Sequence, residues 1–272
     1  MAVTLRRARP WLGTLVEITA MAEDAQSALA AIEAGFAEIA TVHRLMSFHE
    51  PASDLSRLNR ASPGTAIDVD ARTAEVLGAA AALHLESDGA FDCAIGDVSV
   101  GLGLLPALAA ADAAGAAAIE RPHSVVRGPG LIDLGGIAKG YAVDRAIEAM
   151  LRIGAGMALV NAGGDLRHHG EAPIALRLRD PTHAGRVAAV VQLCNAALAS
   201  SATSGLAAQP GAPSALIDPR GRASPLPPGA GVSIVAPSCM MADALTKVVL
   251  VTRDPAHRAL SLHGASVVFY QP

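Results

Sequence analysis

The chain has 272 residues, a formal net charge of -4 and a mean hydropathy of +0.38. That length allows one large or two small domains with a sizeable core, and the mildly acidic balance argues against a nucleic-acid or anionic-membrane partner. Cys93, Cys194 and Cys239 are odd in number, far apart and without CxxC spacing, which argues against a disulfide framework and a thiolate zinc site.

Met1 to Pro10 has no uninterrupted apolar stretch before a small-residue cleavage site, so it does not read as a secretory signal. No window approaches the ~18 consecutive apolar residues of a membrane span. A soluble, cytoplasmic chain with no membrane span is expected. Gly13 to Thr19 alternates polar and apolar residues and predicts a half-buried strand. Asp24 caps a predicted helix whose Ile32, Phe36, Ile39 and Val42 share a face. Met46 to Asn59 is polar, contains proline and reads as a loop. A second helix is predicted over 70–87, ended by Gly89. The alanine-rich stretch 107–120 predicts a third, weakened by Gly115.

Leu131 to Leu134 reads as a short buried strand running into Gly135-Gly136, with a helix following over 137–152. Met157 to Asn161 predicts another strand that meets glycines at Gly163-Gly164. Pro173 to Arg179 and Val187 to Cys194 alternate like adjacent antiparallel strands, and 209–229 is a proline-rich loop. The chain closes with a strand over 231–236, a helix over 242–251, a helix capped by Asp254-Pro255 and a strand over 265–269. The expected fold is α+β, a single unit over 1–272 with mixed or antiparallel sheet layers covered by helices.

Three segments could carry chemistry. In Leu131-Ile-Asp133-Leu-Gly135-Gly136-Ile-Ala-Lys139, a strand end, a glycine turn and a helix start coincide with one of only two lysines in the chain. A helix start offers free N–H groups and a positive dipole end, a natural place for phosphate, and Lys139 would add a point charge there. Val160-Asn-Ala-Gly-Gly-Asp165 repeats the arrangement, and there a plain tight turn competes equally. Asp243 and Lys247, four residues apart on a predicted helix, share a face with Thr246 alongside, a spacing that taken by itself favours an ordinary i,i+4 ion pair on a solvated helix. The histidines, His168-His169 among them, show no metal-ligand spacing and read as surface or loop residues.

Gly13-Thr14, Met46-Ser47, Ser53-Asp-Leu-Ser-Arg-Leu-Asn59, Gly89-Ala-Phe-Asp92, Asp133 to Tyr141, Asn161 to Asp165, Ala202 to Gly205, Ile217-Asp-Pro219 and Ala242-Asp-Ala-Leu245 follow one another along the chain. Together they resemble the ApbE family. The resemblance implies an ApbE-like flavin-nucleotide-binding domain that transfers FMN from FAD to a threonine or serine hydroxyl of an acceptor protein and releases AMP, assisted by Mg²⁺. It implies flavin contacts from Leu12, His49, Ala90, Phe91, Asp92, Asp133, Lys139 and Leu216. Lys139 and Asp243 would be the catalytic pair, and the Gly136 carbonyl, Asp243 and Thr246 would hold the metal. Among the departures from the family pattern, Leu12 replaces a methionine, Cys93-Ala94 replace Pro-Thr, Ala215 stands where a histidine is expected, and Lys247 where a metal-binding threonine is expected. The competing reading is a non-catalytic or weakly FAD-hydrolysing flavin binder.

Overall fold

In the computed structural model, residues 2–107, 123–183, 185–203, 216–221, 224–226 and 228–272 are described. In chain order the elements are β1 (Val3–Trp11), β2 (Thr14–Ala22), α1 (Ala25–Met46), α2 (Asp54–Arg60), β3 (Ala66–Asp68), α3 (Ala71–Glu86), α4 (Gly96–Gly101) and β4 (Ser124–Val126). There follow α5 (Ala138–Arg152), β5 (Met157–Ala162), β6 (Asp165–His169), β7 (Ile174–Arg179), β8 (Val187–Leu193), β9 (Ala197–Ala202) and β10 (Ile217–Asp218). The last are β11 (Ser224–Pro225), β12 (Gly231–Ala236), α6 (Cys239–Thr252), α7 (Arg258–Leu262) and β13 (Ser266–Gln271).

Seven strands form one sheet in the order β1-β2-β5-β6-β9-β12-β13, and every neighbouring pair is antiparallel. Side chains alternate between faces along each strand. Val16, Ile18 and Ala20 of β2, Ala158 and Val160 of β5, and Val232 and Ile234 of β12 all belong to the main core, with α1, α5 and α6 over them. The opposite face carries Leu166 and Leu198, covered by Leu178 and Leu193 of the separate β7–β8 hairpin. No helix among the described residues is long and apolar enough to cross a membrane.

Local chemistry explains the helices. The Asp24 carboxylate accepts the Ser27 N–H at 2.7 Å to start α1, whose buried stripe includes Ile32, Phe36, Ile39 and Val42. Asp70 caps α3 in the same way, and Gly89 turns the chain away at φ +77°.

Four expectations change. Residues 46–59 are not all loop, because Ser53 caps α2 and accepts the Ser56 N–H at 2.9 Å. Its polar residues are buried because they are bonded: Asp54 accepts from Asp70 N at 2.7 Å and Thr73 Oγ1 at 2.9 Å. Leu131 to Leu134 joins no sheet, and side chains and loop carbonyls pair its backbone instead. The last helix is capped by His257, whose Nδ1 accepts the Ala259 N–H, while Asp254 closes the preceding turn onto Ala256 N. His168 is 1% exposed inside β6 and faces the interior, not the surface. The helix predicted over 107–120 lies outside the described residues beyond Ala107, and the described part of 209–229 includes the short strands β10 and β11.

Candidate active site

The segment before α5 is held by groups from three other places. Asn59 grips Ile132, donating from Nδ2 to its carbonyl at 2.8 Å and accepting its N–H at Oδ1 at 2.7 Å. The Leu131 N–H donates to Asp97 Oδ2 at 2.8 Å and the Asp133 N–H to the Cys93 carbonyl at 2.8 Å. Asp133 is thereby fixed in backbone and side chain: its Oδ1 accepts from Gly135 N at 2.8 Å and its Oδ2 from Ser99 Oγ at 3.2 Å.

Asp133 stands between two adjoining pockets. The first, about 310 Å³, is lined by Ala90, Phe91, Asp92, Gly136, Leu216 and Lys247 among others. The second, about 220 Å³, is lined by Leu12, Phe48, His49, Ala138 and Lys139 among others. Leu105, Asp133 and Gly135 line both, so the two are lobes of one cleft. Every flavin contact named from the sequence (Leu12, His49, Ala90, Phe91, Asp92, Asp133, Lys139, Leu216) is on its walls, and so is Gly136. Leu12 reaches the cleft from the β1–β2 turn, where it takes the left-handed conformation at φ +55°.

Asp243 and Thr246 lie beneath the cleft, both 0% exposed. Neither is among the residues lining the two lobes. Asp243 Oδ2 accepts the Gly140 N–H at 3.2 Å, so a carboxylate from α6 sits at the start of α5. Asp144 of α5 returns the arrangement, accepting the Cys239 and Met240 N–H groups at 2.9 Å at the start of α6. Each helix thus supplies the anion that the other's positive end favours. The helices can approach this closely because residue 140 is glycine: a Cβ there would lie 2.2 Å from the Cys239 carbonyl oxygen.

This changes the reading of the α5 start as an open phosphate seat. Gly135 N–H is bonded to Asp133, Ile137 and Ala138 N–H to the Leu134 carbonyl, and Gly140 N–H to Asp243. With four N–H groups of this helix start engaged, most of the charge for an anion in this cleft has to come from side chains.

The two lysines are those side chains, and each is ion-paired to a buried carboxylate. Lys139 holds Asp165 Oδ2, and Lys247 holds Asp243 Oδ1 while donating to the Asp243 carbonyl at 3.0 Å. Burial lowers the Lys139 pKa, a nearby Lys247 lowers it further, and Asp243 opposes both. Cys93 also lines the first lobe, where burial and the charges of Asp133 and Asp92 push its thiol pKa up. That shift disfavours the thiolate, the nucleophilic form.

The glycine pair at 163–164 is a tight turn. Gly163 and Gly164 join β5 to β6 with φ +67° and +107°, and Asn161 Oδ1 accepts the Gly164 N–H at 3.0 Å. Asp165 serves the cleft indirectly, as the partner of Lys139.

The metal ligands implied by the resemblance do not fit Mg²⁺ as they are arranged. The ion takes near-ideal octahedral oxygen coordination at about 2.0–2.1 Å. Here one Asp243 oxygen is covered by an ammonium and the other by a backbone N–H. Thr246 Oγ1 is turned to the Asp243 carbonyl at 2.6 Å and the Ser201 hydroxyl at 2.7 Å. Only the Gly136 carbonyl remains of the set.

Residue motifs alone did not disclose the backbone clamp of Asn59, the Ser99 and Asp97 hydrogen bonds, or the Lys139–Asp165 pair. Asn59 lies inside the Ser53 to Asn59 motif and Asp165 closes the one from Asn161, but partners 73 and 26 residues away leave no local trace. Ala215 lies outside the described residues.

Residues 12–269 match the ApbE family. A curated FAD:protein FMN transferase of Klebsiella pneumoniae (strain 342) is 28% identical over 148 residues, 49% of this chain and 47% of that protein. The match thus spans about half the length of the curated relative. Among solved structures, the ApbE protein of Thermotoga maritima superposes with a TM-score of 0.81 at 26% identity, over 96% of this chain and 90% of that one. The flavin transferase ApbE of Vibrio cholerae gives 0.78 at 22% identity, over 98% and 93%. The flavinyl transferase ApbE of Pseudomonas stutzeri gives 0.77 at 20%, over 96% and 87%.

Proposed function

The chain belongs to the ApbE family, and from that premise we propose that it transfers the FMN moiety of FAD to a threonine or serine hydroxyl of an acceptor protein, releasing AMP. The observation that carries the reading is the two-lobed cleft hinged on Asp133, which suits a ligand with two ring systems joined through a central diphosphate.

In this reading the acceptor oxygen attacks the FMN phosphorus, a new P–O bond forms, and the diphosphate P–O bond breaks with its electron pair leaving on AMP. The hydroxyl proton passes to solvent or to AMP. Such a transfer needs positioning and neutralisation of charge more than covalent catalysis. Asp133, immobilised by Gly135 and Ser99, accepts hydrogen bonds from the nucleotide. Phe91, 4% exposed, supplies an apolar wall. Lys139 and Lys247 bring positive charge to the two lobes. The family resemblance implies Mg²⁺, but the Asp243 oxygens and the Thr246 hydroxyl that would hold it are already engaged.

The test is incubation of the protein with FAD and candidate acceptor proteins, with and without EDTA, following AMP and covalent flavin together. Equal amounts of both are expected. Calorimetry should show Asp133→Asn binding FAD about tenfold more weakly, the value of a good hydrogen bond to a charged group. FAD binding without AMP release would leave a flavin-binding protein, and absence of FAD binding would overturn the reading.

A further inference from the structure

A buried carboxylate at the floor of a cleft either recruits a cation or carries its own. Lys247 is the only cationic side chain among the described residues lining the larger lobe, where it stands with Asp92 and Asp133. Its side chain is 17% exposed, and that of Asp243 is 0% exposed. The ammonium covers Asp243 Oδ1 and also donates to the Asp243 carbonyl at 3.0 Å. Its stem runs beside the Gly136 backbone, since a Cβ on Gly136 would lie 3.5 Å from Lys247 Cε. The ammonium therefore covers Asp243 while its stem passes beside Gly136, the two residues that would otherwise be the strongest candidates to coordinate a cation.

We propose that the Lys247 ammonium is the resident cation of this site, taking the place of a divalent ion and holding nucleotide phosphate directly. An ammonium has three N–H donors. Asp243 provides the two acceptors given above, which leaves one donor for a ligand in the lobe. A divalent ion at Asp243 would sit within a few ångströms of this charge, where low solvent access makes like-charge repulsion strong. The choice of residue fits the task. The chain has 21 Lys+Arg but only two lysines, and a compact ammonium fits a monatomic cation's space where a planar guanidinium does not. The phosphate part of the inference rests on the flavin reading above, but the metal part does not.

Two lysines allow a direct test on the unmodified protein. Lysine labelled with carbon-13 at Cε gives one NMR signal per residue, assigned with Lys139→Arg. Titration with Mg²⁺ and then with paramagnetic Mn²⁺, in the absence of flavin, should leave the Lys247 signal in place and unbroadened through millimolar concentrations. Saturable movement or broadening of that signal, abolished by Asp243→Asn, would overturn the proposal. Lys247→Thr should bind Mn²⁺ roughly a hundredfold more tightly by electron paramagnetic resonance, as the repulsion is removed. A folded Lys247→Thr protein with no gain would equally count against it. If that variant does not fold, the titration of the unmodified protein still decides. FAD added in EDTA should shift the Lys247 signal. If FAD binds only with Mg²⁺ present, the proposal fails, whereas failure of FAD to bind under either condition sinks the flavin reading and leaves the metal result standing.

Discussion

Lys139 lines the smaller lobe and at the same time pairs with Asp165, whose side chain is 1% exposed and whose Oδ1 has no hydrogen-bond partner among the described residues. Read from its motif, Lys139 is a phosphate ligand whose charge could be removed without loss of stability. The ion pair reverses that expectation. Lys139→Met leaves a buried carboxylate uncompensated, so we expect a loss of about 3 kcal/mol in urea denaturation, the lower end for breaking a buried pair since the lysine is part-exposed. Lys139→Met with Asp165→Asn should recover most of it, and additive losses in that double-mutant cycle would show that the pair does not couple. His168 offers a second test at this scale. Its ring nitrogens have no partners among the described residues, and burial, then the neighbouring His169, lowers its pKa from 6.5. The unfolded chain then binds a proton that the folded chain refuses. Stability from this group is complete above its ordinary value of 6.5 and declines as the pH falls toward the folded-state value. His168→Leu should therefore reduce the loss of stability between about pH 7 and about pH 5, measured as the urea midpoint. An unchanged slope would show that the ring is protonated or solvated inside the fold.

Among elements, the crossing of α5 and α6 does most to shape the cleft floor. It places Asp243 against Gly140 and Lys247 on the wall, and it depends on that glycine. Gly140→Ala would improve helix propensity, yet its methyl group would collide with the Cys239 carbonyl and with Asp243 Cβ at 2.9 Å. We expect a net destabilisation of about 2–3 kcal/mol by overpacking, read by denaturation. Unaltered stability would mean that the helices can separate freely. Elements such as α1, α3, β12 and the β7–β8 hairpin were legible because a cap residue, a 3.6-residue stripe or a period-2 pattern is written locally. β1 was not, since Arg6, Arg7, Arg9 and Pro10 give an edge strand no apolar alternation. Proline costs nothing on a strand edge, and Arg6 and Arg9 are matched to Glu17 and Glu33. The segment 131–134 failed in the opposite direction. It is apolar and extended like a strand, but Asn59 and Asp97 pair its backbone, and nothing local distinguishes the two outcomes. The candidate site was legible as a set of wall residues. Its electrostatics were not, because the partners of Lys139, Gly140 and Asp133 come from elsewhere in the chain.

At the scale of the whole molecule, the cleft draws on nearly the full chain. Leu12 from the first hairpin, Phe91, Asp133, Leu216 and Lys247 line it together. One sheet joins β1 to β13, so neither half can unfold while the other keeps a complete cleft. We therefore expect the 272 residues to melt as one unit, with calorimetric and van't Hoff enthalpies in agreement. A ligand bound only by the folded state stabilises it by about 2.7 kcal/mol at a hundred times its dissociation constant. For a chain of this size, FAD at that excess should raise the melting temperature by about 5 °C. Because Lys247 supplies the charge at Asp243, the rise should persist in EDTA, and it should shrink in Asp133→Asn. AMP alone should give a smaller rise, as it can fill only one lobe. Two separate transitions, with FAD moving one of them, would instead mean that the chain is built from independent units and that the cleft belongs to one. A single transition that saturating FAD leaves unmoved would mean that the folded chain offers the flavin nucleotide no site.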